Sequence, residues 1–181
     1  MIDASKYDKT ETIKNGIEVR IRSIRSDDKH RIFEAFRNLE SESIYTRFFG
    51  HKKELTEPEL KAATEVDFEN VVALVATVGE AGSETIIAAG RYAAWDMANG
   101  LRSAEVSFTV EEDYQGQGLA GRLLRHLTHI AREKSMSQFE AEVLPENKAM
   151  LAVFSRSGLP IGKKLEDGVI HVTLSLTGPA V

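Results

Sequence analysis

Val110-Glu111-Glu112-Asp113-Tyr114-Gln115-Gly116-Gln117-Gly118-Leu119-Ala120-Gly121 is the stretch that decides how this chain is read. It begins where a run of alternating polar and apolar residues stops. It ends where Leu119, Leu123, Leu124, Leu127 and Ile130 set up a helical period that lasts to about Lys134. A strand therefore runs into a glycine-rich turn, and the turn opens a helix. The first N–H groups of a helix lack carbonyl partners, and the helix dipole gives that end partial positive charge. Glycine removes the Cβ that would hold an anion off the backbone, so such a turn suits a phosphate. By themselves these residues fit a tight loop requiring positive φ equally well.

Outward from the turn, three strands are expected upstream, over 70–78, 84–95 and 101–110. They are separated by Gly79-Glu80-Ala81-Gly82-Ser83 and Asp96-Met97-Ala98-Asn99-Gly100. Such short connections favour an antiparallel meander over crossovers. Earlier still, Glu18 to Ile24 alternates as a half-buried strand, and Ser26-Asp27-Asp28 offers caps for a helix carrying Ile32, Phe33, Phe36 and Leu39. Thr56 with Glu59 is a capping-box pattern opening a second helix over about 57–65. Ser43 to Phe49 reads as an aromatic-rich connection between the two, and residues 1–16, polar and unpatterned, as a tail. Downstream the pattern gives a strand over 138–144, a helix over about 146–156 and a hairpin turning at Glu166-Asp167-Gly168. The expected fold class is α/β, a single domain over 17–181 with a mixed, mostly antiparallel sheet flanked by helices.

Gly116, Gly118 and Gly121 also match G-x-G-x-x-G, and Glu140 and Glu142 lie about where a dinucleotide fold keeps its ribose-binding acid. Two features argue against a nicotinamide cofactor. Glu111 to Gln115 intervene between the strand and the first glycine, and upstream there are hairpins where that fold needs crossovers.

The 181 residues are 42% hydrophobic and 28% charged, an ordinary globular balance, with a net charge of −5 that disfavours non-specific binding to nucleic acid. There is no cysteine, which excludes disulfides, thiolate nucleophiles and Cys-ligated metals. No apolar run is long enough to span a bilayer, and Met1 to Lys6 lacks the layout of a signal peptide, so no membrane association and a cytoplasmic location are expected. Composition leaves the oligomeric state open.

Gln115-Gly116-Gln117-Gly118-Leu119-Ala120 resembles the Q/R-x-x-G-x-G/A motif of the GNAT acetyltransferase superfamily. Asn147-Lys148-Ala149-Met150-Leu151-Ala152-Val153-Phe154, closing in Ser157-Gly158-Leu159, is similar to that family's second cofactor segment. Val19 to Asp28, Ser41 to Phe49, Ala104-Glu105 and Leu165 to Ile170 extend the likeness to the GNAT domain of Pat-type bacterial protein lysine acetyltransferases, over about residues 17–176. The resemblance implies acetyl-CoA as co-substrate, its pyrophosphate held by the amides of Gln115 to Gly121. It implies further cofactor contacts at Asn147 and Phe154. The strands holding Leu101–Val110 and Gln138–Leu144 would splay to admit the pantetheine arm past Phe108 and Val110.

Amine acetylation needs a group to accept the amine's proton. Glu105, Ser107 and Thr109 share the strand face opposite Val106, Phe108 and Val110. Alternation alone makes that a solvated face, whereas the Pat-like resemblance places a catalytic base at Glu105. Many GNAT enzymes carry a tyrosine as general acid where this chain has Phe154, which has no proton to give. Arg122, in the first turn after the glycines, is positioned to meet cofactor phosphates. Arg125 reads as a solvated helix residue. His126 and His129 also read as solvated, since no HExxH pattern surrounds them. His30, His51 and His171 are scattered and support no triad. Tyr45, Arg47, Phe48 and Phe49 lie on the acceptor side in this family, or else in the core. The leading expectation is acetylation of a protein lysine. The alternatives are a small amine acceptor and a catalytically silent acetyl-CoA-binding module.

Overall fold

The computed structural model describes residues 1–48, 50 and 52–178. The strands are β1 (Asp8–Thr12), β2 (Glu18–Ser23), β3 (Val71–Val78), β4 (Thr85–Asp96), β5 (Arg102–Val110), β6 (Gln138–Val143), β7 (Ile161–Glu166) and β8 (Val169–Ser175). The helices are α1 (Lys29–Arg37), α2 (Ser41–Phe48), α3 (Glu57–Thr64), α4 (Leu119–Glu133) and α5 (Lys148–Ser155). The strands form one eight-stranded sheet in the order β1-β2-β3-β4-β5-β6-β8-β7. Every neighbouring pair is antiparallel except β5 with β6. The α/β, mostly antiparallel architecture expected from the spacing is the one observed. Among the described residues no helix is long and apolar enough to cross a membrane.

Strand alternation divides the sheet into two faces. On β3, Val72, Leu74 and Ala76 join Leu119, Leu123, Leu124, Leu127 and Ile130 of α4 in the main core. Ala73 and Val75, at the intervening positions, meet Ile24 and Ile86 in a smaller core with Ile32 and Ala35 of α1. Burying each leucine of α4 stabilises by about 1.5–3 kcal/mol, which is what clamps this helix across β3, β4 and β5. Between β2, β4 and the start of α1 lies a buried ion network. The Arg22 guanidinium donates to both Asp28 carboxylate oxygens at 2.8 Å and to Glu84 at 2.9 Å. The hairpin expected at the C-terminal end is present, with Asp167 and Gly168 both at positive φ (51° and 78°), as a two-residue turn matched to strand twist requires.

Two expectations are corrected. Residues 1–16 are not a tail: β1 pairs with β2 along its length, and Ala4, Tyr7 and Ile13 are buried in the main core. Those three follow no regular period, so alternation could not reveal them. The legible sign was Asn15-Gly16, where the Asn15 side chain accepts from Ile17 N at 3.0 Å and Gly16 takes φ +83°. Ser41–Phe48 is a helix, not a connection. Ile44, Tyr45 and Thr46 are weak helix formers, and contact of α2 with β5 plus the Phe36–Phe48 ring pair (5.7 Å) overrides that propensity. Phe49 and His51 lie outside the described residues.

One close approach generates a prediction about stability. The Phe108 ring lies over Gly90, so a Cβ at Gly90 would stand 2.8 Å from Phe108 Cδ1 and 3.3 Å from Leu123 Cβ. Gly90→Ala should therefore lower stability by roughly 1–3 kcal/mol, the usual cost of overpacking, seen as an earlier urea midpoint. An unchanged midpoint would mean that the ring yields freely.

Candidate active site

The glycine turn is built as the sequence suggests. Glu111 N bonds to Ile87 O at 2.9 Å, which fixes the end of β5, and a single turn over Glu112–Tyr114 carries the chain to Gln115. Gly116 and Gly118 have φ of +76° and +85°, and Gly118 caps α4 without a side chain. The tight-loop reading of the glycines is observed. The loop demands left-handed residues, and a Cβ at Gly116 or Gly121 would meet nothing within 4 Å. The first bond of the helix is Arg122 N to Gly118 O at 3.1 Å, so the N–H groups of Leu119, Ala120 and Gly121 begin the helix without carbonyl partners in it. Gln115 braces the turn by donating to Val110 O at 3.1 Å and to Ser43 Oγ at 3.3 Å. Gln117 Oε1 is buried and accepts no hydrogen bond among the described residues.

Beside this turn the sheet opens. β5 and β6 pair only through Ser103–Gln138, Ala104–Phe139 and Glu105–Glu140. β5 continues to Val110 and β6 to Val143, so past Glu105 the β6-facing backbone of β5 has no strand to bond. Phe108 and Phe154, both buried, meet across this gap with ring centroids 6.2 Å apart. Val110 is half-buried at the end of the strand. Asn147 serves as the N-cap of α5, accepting from Met150 N at 3.2 Å. Its side chain is thus engaged within the protein.

Glu105 is exposed at the last paired position, opposite Ala93 on β4 and Glu140 on β6. Glu140 is held by Ser103 Oγ at 2.9 Å and Gln138 Nε2 at 2.7 Å. On the same face of β5, Ser107 and Thr109 line a cavity of about 300 Å³ beneath α1 to α3, with Arg47 and Arg91 in its walls. Tyr45 and Phe48 are partly exposed at the same helix. Of these residues the sequence pointed to Arg47, and to Glu140 only as a dinucleotide-type acid, but not to Arg91 or Glu11. Only strand pairing and the folding back of β1 make these neighbours of the site.

Arg122 and His126 of α4 depart from expectation. Arg122 is ion-paired with Glu11 of β1 and is not a free cation at the turn. Arg125 is exposed, as expected, and from the surface donates to the same carboxylate at 2.7 Å. His126, also expected to be solvated, is buried, with Nε2 2.7 Å from Glu11 and Nδ1 2.5 Å from the Tyr7 hydroxyl. A carboxylate can only accept, so Nε2 carries the proton and Nδ1 accepts from Tyr7. These contacts exist because β1, read from sequence as a tail, folds over α4. His129 is exposed, as expected. Among the described residues no group of His, Asp and Glu could hold a metal.

Burial pushes the Glu11 carboxyl up, but hydrogen bonds from Arg122, Arg125 and His126 outweigh it and bring the group from 4.5 to about 2. Burial holds His126 below its ordinary value despite Glu11. Both shifts place the dependence on the acid side. Glu11 contributes stability that is full above pH 4.5 and is lost as the pH falls toward 2, and neutral His126 must charge in acid. Glu11→Gln should cost about 1–3 kcal/mol near neutrality and flatten the fall of the melting temperature between pH 4.5 and 2, measured calorimetrically.

With this geometry in hand, comparison with known proteins is informative. A family model described as an acetyltransferase (GNAT) domain matches residues 18–160. An acetyltransferase of Pseudomonas aeruginosa is 31% identical over 164 residues, covering 89% of this chain and 86% of that protein. Acetyltransferase Pat of Mycolicibacterium smegmatis is 31% identical over 146 residues, 81% of this chain but 42% of that longer protein. The solved GNAT domain of S. lividans PAT superposes with a TM-score of 0.83 at 33% identity, covering 93% of this chain and 96% of that one. Fold, glycine turn and relatives agree, and the chain belongs to the GNAT family of acetyltransferases, whose acetyl donor is acetyl-CoA.

Proposed function

We propose that this acetyltransferase acts on a primary amine, a protein lysine side chain, with Glu105 accepting the proton the amine must lose. The observation that carries the reading is the position of Glu105, exposed at the last pair before β5 and β6 part. Acetyl-CoA supplies a thioester-activated acetyl group. The helix start at Leu119 to Gly121 and the positive-φ glycines before it fit a pyrophosphate, since open space fronts the turn. The unpaired edge of β5 past Glu105 suits an amide-bearing arm, because its backbone groups need partners. Such an arm would enter past Phe108, Val110 and Phe154, and its far end would lie beside Glu105.

A carboxylate at that mouth can take a proton directly or through one water. Exposure of Glu105 supports an acceptor as large as a protein side chain, and the likeness to Pat-type enzymes points the same way. Phe154 is buried against Phe108 and has no hydroxyl, so it does no proton transfer and the weight falls on Glu105. Asn147 acts as the cap that sets α5 at the gap, and Arg122 acts by holding β1 to α4 through Glu11. A cytoplasmic location is part of this reading, since lysine acetylation draws on the acetyl-CoA pool there.

Two measurements test the proposal. Acetyl-CoA should raise the melting temperature, by the equivalent of about 2.7 kcal/mol at a hundredfold excess over Kd, while NAD should not. Stabilisation by NAD alone would reverse the assignment of the turn. Glu105→Gln should lower kcat/KM by roughly 10²–10⁴-fold with acetyl-CoA affinity unchanged in calorimetry, since the carboxylate lies away from the glycine turn. A near-normal rate would leave Glu105 a solvated strand residue. Phe154→Tyr serves as control and should bring no gain in rate.

A further inference from the structure

Two cations in the cavity beneath α1 to α3 have, among the described residues, nothing to neutralise them at contact distance. Arg91 stands on β4 opposite Ser107, on the sheet face that carries Glu105 two residues away. Arg47 reaches the same cavity from α2, which packs against β5. Both side chains are largely withdrawn from water, and the surrounding wall is mainly apolar, including Ile32, Phe36 and Ala89. Burial pushes both guanidinium groups down, Arg91 adds repulsion on Arg47, and Glu105 opposes this from beyond ion-pair distance. Among the described residues neither arginine joins an ion pair or donates a hydrogen bond. The Phe48 ring, 5.0 Å from the Arg47 guanidinium, is an aromatic neighbour and no counterion.

The same chain shows what a structural buried arginine looks like here. Arg22 is gripped by Asp28 and Glu84 at 2.8–2.9 Å. The other carboxylates of the cavity cannot do this for Arg47 and Arg91. Glu59 is committed to Lys52 at 2.6 Å and to the Thr56 cap. Glu111 sits opposite Ile87, four residues along β4 from Arg91, or about 13 Å. Desolvated charge without a partner is costly, and arginine pairs bind carboxylates with good geometry.

We infer that Arg47 and Arg91 bind a carboxylate carried by the acceptor, and so select amines with a negative group several bonds from the nitrogen. The inference rests on the acetyltransferase reading with Glu105 at the transfer position, and it adds the acceptor's chemistry. A diagonal pair on adjacent strands is about 7–8 Å apart, so an amine at Glu105 and a carboxylate at Arg91 would be separated by about the length of a lysine side chain. The carboxylate then belongs either to the acceptor lysine's own main chain, as a free amino acid or C-terminus, or to an acidic residue beside it in a protein.

The test uses the whole chain with acetyl-CoA and two matched acceptor pairs. One pair is Nα-acetyl-lysine and its carboxamide; the other is a lysine peptide with Asp or with Asn beside the lysine. In at least one pair the carboxylate member should be favoured about 10–100-fold in kcat/KM, and the pair that shows it identifies the source. The preference should vanish in Arg91→Gln and in Arg47→Gln, with acetyl-CoA affinity intact. Glutarate, an acceptor mimic without an amine, should raise the melting temperature of the wild type and not of Arg91→Gln. Unliganded Arg91→Gln should melt no lower than the wild type, whereas loss of a merely structural arginine would lower it. Equal use of both members in both pairs, a preference that survives both substitutions, or equal glutarate shifts would overturn the inference. Should Glu105→Gln retain its rate while the carboxylate preference stands, the base assignment fails and the anion pocket survives. If no acceptor turned over, the glutarate comparison decides alone.

Discussion

Three residue pairs of parallel sheet, from Ser103–Gln138 to Glu105–Glu140, are the constraint on which the site depends. Had the pairing run on to Val110 and Val143, the sheet would be closed and its backbone groups satisfied. Stopping it leaves a strand edge in the middle of a sheet, which proteins ordinarily avoid or cover. Here the edge is flanked by Phe108 and Phe154, ends at the glycine turn and starts beside the exposed Glu105 carboxylate. An unpaired backbone, a helix start with free N–H groups and an exposed carboxylate are thus brought together where two strands cease to bond.

That helix start must be held still to be useful. Its leucines fix α4 to the sheet from below, while β1 fixes it from the side. Glu11 gathers Arg122, Arg125 and His126 onto one carboxylate, and His126 passes the contact on to Tyr7. The cations nearest the glycine turn therefore tie down the helix, and what the turn exposes is backbone N–H groups in place of free guanidinium groups.

Charge elsewhere in the molecule follows two distinct rules. Arg22 is buried with its carboxylates close, so their attraction offsets its desolvation while it cross-braces β2, the start of β4 and the start of α1. Arg47 and Arg91 are withdrawn from water without such partners among the described residues, on the sheet face that carries Glu105. An arrangement that costs the free protein stability is the kind a binding site retains.

Local spacing made much of this legible. The alternation of β3 to β5, the period of α4, the Thr56–Glu59 capping box and the Asp167-Gly168 turn are short-range patterns, each set by residues a few positions apart, and the structure reproduces them. The glycine turn could be picked out for the same reason, since it depends on a strand running into a helix, whereas Glu105 was singled out only by the resemblance, its alternation reading as a solvated face. What the sequence could not decide was set by partners far along the chain. β1 is a strand because β2 offers its edge and the core takes in Tyr7 and Ile13. Ser41–Phe48 is helical because β5 and Phe36 receive it. Arg122 and His126 point to Glu11, more than a hundred residues away, and Arg91 becomes a neighbour of Glu105 only through the register of β4 with β5. Periodicity reports which face of an element is buried; which charge lies opposite another is a matter of register and docking, and only the assembled sheet decides it.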